Sequence, residues 1–218
     1  MLRSLIALVL LFAFTPAITA KQGGYKVESI GALTATSVSE AVRGTLDAKG
    51  VRVISGDGKP LCEIWFRKEI PTAKAEVPNA NFGQIPEGTF VGVINFPAGA
   101  SDFRGQGIKA GYYTLRYGLI LNDGNHLGVS SYRDFVLLCL VAEDKDTTAL
   151  SFDEMVKLSR NASGTGHPSP WNLLPVTSNE GLPKIVKNDV EHIIVEVKVT
   201  TKSGPLAIGM VVVGKTEG

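Results

Sequence analysis

Tyr112-Tyr113-Thr114-Leu115-Arg116-Tyr117-Gly118-Leu119-Ile120-Leu121 is the stretch that decides the fold class of this chain. Tyr113, Leu115, Tyr117, Leu119 and Leu121 fall on one side of an extended strand, and Thr114, Arg116 and Gly118 on the other. Successive side chains alternate sides along a strand, so this period of two marks a strand with one face committed to a core. Downstream, Phe135-Val136-Leu137-Leu138-Cys139-Leu140-Val141 is apolar throughout. A run apolar on both faces belongs to the interior of a sheet. Residues 122–134 join the two runs, a connection far longer than the roughly 2–5 residues that close a hairpin.

The same patterning extends in both directions. Lys26 to Ile30 reads as a strand, and Val38 to Leu46 as a second, although Ser39-Glu40-Ala41-Val42-Arg43 also suits a helical turn. Val51 to Ile54, the turn Gly56-Asp57-Gly58-Lys59-Pro60 and Leu61 to Phe66 compose a hairpin. Thr89 to Phe96 is strand-like, with Phe90, Gly92, Ile94 and Phe96 on one face. Val190 to Thr200 alternates, with Ile193, Val195, Val197 and Val199 pointing in and His192, Glu196 and Lys198 out. Gly204-Pro205 then turns the chain into a last strand, Leu206 to Val213. Ser151-Phe152-Asp153-Glu154 is a capping box. It opens one helix over residues 151–162 with Phe152, Met155 and Val156 on one stripe. Residues 71–88, 97–111 and 163–184 read as loops, the last with a short turn near Trp171.

Many short strands, 24 glycines, 11 prolines and one helix predict a mostly-β protein. The expected form is an antiparallel β-sandwich, prealbumin-like or immunoglobulin-like, with a barrel as the second choice. Leu115, Tyr117, Leu138 and Val195 are expected in one core. Ile108-Lys109-Ala110-Gly111-Tyr112-Tyr113-Thr114-Leu115-Arg116 resembles the turn-into-strand phrase of prealbumin-like and carboxypeptidase-regulatory-like sandwiches. The resemblance implies a sandwich and no activity.

Residues 1–20 have the layout of a secretory signal peptide: Arg3, the apolar run Leu5 to Phe14, Pro16, and a small-residue end at Ala20. The run is about half of the roughly 20 apolar residues that a spanning helix requires. The expectation is therefore export to the periplasm or extracellular space, with residues 21–218 as one domain and no transmembrane segment in the mature chain. Removing 20 of 218 residues leaves 198, and removing Arg3 from 22 basic residues leaves 21, matching the 21 acidic ones. That balance gives no electrostatic case for a nucleic-acid partner or an anionic membrane surface.

Two cysteines, Cys62 and Cys139, lie in strand-like runs. Export permits a disulfide between them; the alternative is two buried thiols acting as small apolar groups. The three histidines, His126, His167 and His192, fall in no His-Glu-x-x-His pattern, and no Cys-x-x-Cys is present. There is no Gly-x-Ser-x-Gly elbow, no Ser-x-x-Lys and no phosphate loop. No metal or cofactor is expected. The candidate ligand-binding residues are His126, Arg133 and Asp134, from the long 122–134 connection, and His167 and Trp171, from a segment rich in Gly and Pro. The expected function is a non-catalytic binding or assembly role with a protein or carbohydrate partner. One alternative is a metal-dependent or other hydrolase using His126, His167 and loop carboxylates. The other is a carbohydrate-binding module using Tyr112, Tyr132 or Trp171.

Overall fold

A computed structural model describes residues 24–74, 77–121 and 132–216. The signal-like leader and His126 lie outside the described residues. In chain order the elements are β1 (Lys26–Ile30), α1 (Glu40–Arg43), β2 (Gly50–Ile54), β3 (Pro60–Phe66), β4 (Phe90–Phe96), β5 (Ala100–Ser101), β6 (Gly107–Ile108), β7 (Gly111–Leu119), β8 (Asp134–Leu140), α2 (Phe152–Ser163), β9 (Pro170–Leu174), β10 (Lys184–Lys187), β11 (Ile193–Thr201) and β12 (Gly204–Val213). Ten strands form one sheet in the order β1-β2-β3-β4-β7-β8-β9-β12-β11-β10, while β5 and β6 make a small separate hairpin. Every pairing in the large sheet is antiparallel. The sheet curls until its two terminal strands, β1 and β10, approach each other. The protein is thus mostly β and antiparallel, with its sandwich-like core enclosed by one sheet rolled nearly into a barrel.

The inner face carries the main core. Tyr113, Leu115, Tyr117 and Leu119 of β7 pack with Val136 and Leu138 of β8 and with Val195, Val197 and Val199 of β11. The four residues expected in one core, Leu115, Tyr117, Leu138 and Val195, do share it. The outer face of the central strands is also covered. Leu33, Val38, Val42 and Leu46, around α1, pack on Trp65, Phe90 and Val93. Met155, Phe152 and Val156 of α2 lie on Phe135 and Leu137. Helix α2 begins at the expected capping box, with the Ser151 hydroxyl accepting from the Glu154 amide and the Glu154 carboxylate accepting from the Ser151 amide.

Four expectations are corrected. Residues 38–46 hold a helical turn rather than a strand, because the Ser39 hydroxyl accepts from the Val42 amide and caps α1. In β4 a register shift between Phe90 and Gly92 breaks the alternation. Phe90 and Val93 then serve the outer cluster while Ile94 and Phe96 serve the inner one. A Cβ on Gly92 would stand 2.5 Å from the Trp65 carbonyl oxygen, so only glycine fits there. The segment 163–184 contributes a strand, β9, and the start of another, β10. Finally, the bridge between Cys62 and Cys139 is not formed; both are free and buried. Cys62 belongs to the inner core, whereas Cys139 turns outward toward the Met155 carbonyl beneath α2. Two cysteines on opposite faces of a sheet cannot bring their sulfurs together.

Candidate functional site

The sequence-predicted site residues have mostly structural partners. Asp134 is the first residue of β8 and fully buried. Its carboxylate accepts from the Tyr117 hydroxyl at 2.6 Å, the Phe82 amide at 3.0 Å, and the amide and side chain of Asn81 at 2.8 and 3.2 Å. Arg133 donates to the carbonyls of Ile120 at 3.0 Å and Pro78 at 2.7 Å. Together the two residues fasten the 77–85 segment to the end of β7 and β8. Arg133 also borders a cavity of about 360 Å³ with Glu87, whose carboxylate accepts from the Leu119 amide. Trp171 turns into the core and lies 4.9 Å from the Phe96 ring. His167 stays exposed in the turn after α2, so these two candidates do not converge.

Two further buried polar clusters are also tied. Asp102 accepts from the amides of Arg104 and Gln106 and from the Gln106 side chain, closing the β5–β6 hairpin. Arg116, on the outer face of β7, is wholly buried. Its Nε and one Nη2 hydrogen meet Asp144 at 2.8 and 2.6 Å, and the remaining hydrogens meet the carbonyls of Gly88, Thr148 and Asp146. Every guanidinium N–H is therefore used. Gly88 lets the 142–150 segment come this close: its φ is +76°, and a Cβ there would stand 1.7 Å from the Leu150 carbonyl oxygen. Burial raises the thiol pKa of both cysteines, which makes them poor nucleophiles. Among the described residues no group of three His, Cys, Asp or Glu is arranged to hold a metal.

The surface left open is the seam where the sheet fails to close. Pairing of β10 with β11 stops at Lys184 opposite Glu196. The next residue back is Pro183, which has no N–H to give to a ladder. Val197 to Thr200 therefore pair with β12 on one side and lack a β10 partner on the other. Beyond the gap, the Ile70 amide donates to the Thr200 carbonyl and its carbonyl accepts from the Lys202 amide, both at 2.9 Å, pinning the far end. What remains is a slot of about 290 Å³ between β2–β3 and β11. Of its apolar lining, Val51, Ile64, Phe66, Val197 and Val199 are part of the inner core or packed on it, and Leu182 and Pro183 add the edge before β10. The slot thus opens onto the hydrophobic interior.

Charge around the slot is one-sided. Lys49, Arg67 and Lys198 line it against a single carboxylate, Asp47. Asp47 already accepts from the Lys49 amide at 3.0 Å. Among the described residues, none of the three cations is held in an ion pair. Partial burial and the nearby Arg116 charge pull Arg67 below the ordinary arginine range, against the opposing pull of Glu69. Sequence reasoning missed this site because its members are scattered from Ser29 to Thr200 and carry no motif. The one local signal was Pro183, standing before a strand whose partner is far longer than it is.

Comparison with protein-family models, curated proteins and solved structures finds no match. No helix among the described residues is long and apolar enough to cross a membrane.

Proposed function

We propose that this protein is an exported, non-catalytic binding protein of the cell envelope or extracellular space, folded as one domain over residues 21–218, and that the seam slot is its binding site. The observation that carries the reading is the slot itself: an opening of about 290 Å³ floored by core residues. Openings lined by apolar side chains with a few polar groups at the rim mark ligand sites. The leader Arg3 to Ala20 supports export. The engagement of Asp102, Asp134 and Asp144 in anchoring bonds supports a role without acid–base chemistry.

Two measurements test the reading. Mass spectrometry of the exported product is expected to find Lys21 at the N-terminus; a mature chain retaining Leu5 to Phe14 refutes export. The neutral dye Nile red is expected to fluoresce on binding the mature protein. Ser29→Trp, a change at an exposed rim residue, is expected to abolish that signal with the melting temperature unchanged. Dye binding that is absent, or indifferent to this plug, overturns the slot as the site.

A further inference from the structure

We propose that the slot takes a medium-chain carboxylate, its alkyl chain over Ile64, Val197 and Val199 and its head group among Lys49, Arg67 and Lys198. The proposal rests on the seam as a binding site and names the chemistry of its ligand. Two independent features of the slot specify the two halves of such a molecule.

The lining specifies the tail. Ile64, Val197 and Val199 are 0%, 3% and 4% exposed and belong to the inner core. An alkyl chain seated there continues the core into the gap that Pro183 keeps open. The slot's volume of about 290 Å³ falls just short of the range for small-molecule sites, about 300–1,000 Å³. One unbranched chain of moderate length fits that space; a paired-chain lipid or a fused-ring sterol does not.

The rim specifies the head. Three cations face one carboxylate, and that carboxylate is already engaged by a backbone amide. A carboxylate ligand restores the balance among the lining charges and adds to the nearby Glu69 a second anion, one suited to the planar fork of the half-buried Arg67. A cationic head meets repulsion from the same three side chains. A neutral alcohol leaves them as they are. Charge sign therefore separates ligands that share a tail, and this is what distinguishes the proposal from general stickiness of an apolar gap.

The experiment is competition against Nile red on the mature chain with decanoate, decanol and decyltrimethylammonium, followed by calorimetric titration of decanoate. Decanoate is expected to displace the dye at a concentration about tenfold or more below that needed with decanol, and the cation to fail. Lys49→Glu combined with Lys198→Glu, both exposed positions, is expected to weaken decanoate about tenfold. The same pair should leave the melting temperature unchanged and, measured on the same variant, weaken decanol far less than decanoate. Equal potency of decanoate and decanol overturns the head-group assignment while the slot stands as a site. Failure of all three amphiphiles with dye binding intact overturns the ligand class. Loss of dye binding to the unaltered protein overturns both readings together.

Discussion

Replacing Asp144 by alanine puts a number on the buried ion pair of the outer face. Arg116 is 0% exposed and Asp144 5%. The carboxylate takes Arg116 Nε at 2.8 Å and Nη2 at 2.6 Å and accepts from the Thr114 hydroxyl. Asp144→Ala strips partners from two of the five guanidinium N–H groups and from that hydroxyl. It leaves an uncompensated cation between Phe90, whose ring centroid lies 5.6 Å from Arg116 Cζ, and the 142–150 segment. Breaking a buried pair by removing one partner costs about 3–5 kcal/mol, a large share of a domain stability of about 5–15 kcal/mol. Arg116→Met with Asp144→Leu removes both charges together. It is expected to recover most of that loss of about 3–5 kcal/mol, short of full stability because the carbonyls of Gly88, Thr148 and Asp146 lose their donors. Urea unfolding of the three proteins reads these values. A loss below about 1 kcal/mol for Asp144→Ala, with an unchanged m-value, refutes the claim that this pair holds the segment to the sheet.

Two further outcomes are expected. Leu138, fully buried between β7 and the core, should cost about 2–5 kcal/mol on replacement by alanine, read by the same unfolding assay; a loss below about 0.5 kcal/mol contradicts its inward placement. Burial raises the ionisation of Cys62, Cys139 and Tyr117 above ordinary values of 9.0 for the thiols and 10.0 for the phenol. A folded pKa raised in this way contributes stability in full below the unfolded value. Stability should therefore hold to about pH 9 and then fall by about 1.4 kcal/mol per pH unit for each thiol. Melting temperatures across that range, with Cys62→Ala giving a shallower fall, check the sign; a flat profile through pH 11 contradicts it.

How legible each part was follows from how local its cause is. β7 and β11 were readable because a period of two over eight or more residues has one interpretation, and β12 because the Gly204-Pro205 turn opens an apolar run. The start of α2 was readable because a capping box fixes it within four residues. β9 escaped because Pro170-Trp171-Asn172-Leu173-Leu174 is short, opens on proline and follows a glycine-rich turn. The facing of Phe90 escaped because a bulge reverses parity without leaving a mark in the hydrophobic pattern. Arg133 and Asp134 were singled out as polar residues on a long connection; the structure gives them backbone partners in the 77–85 segment, which sequence spacing does not reveal. The seam was invisible because it depends on which strands end a curled sheet, a property of topology.

Strand β9 divides its partnership. Pro170 to Asn172 pair with β8, while Leu173 and Leu174 alone pair with β12. Among the described residues, two residue pairs are the ladder joining the C-terminal meander β10–β11–β12 to the preceding strands, and Ile70 adds a single bridge at the other side. Backbone continuity across the molecule is therefore thinnest at this line, and the interdigitated side chains of the inner core transmit most of the coupling between its two parts. The meander is held by pairings near in sequence, the kind of contact that gathers neighbouring strands into one cooperative unit.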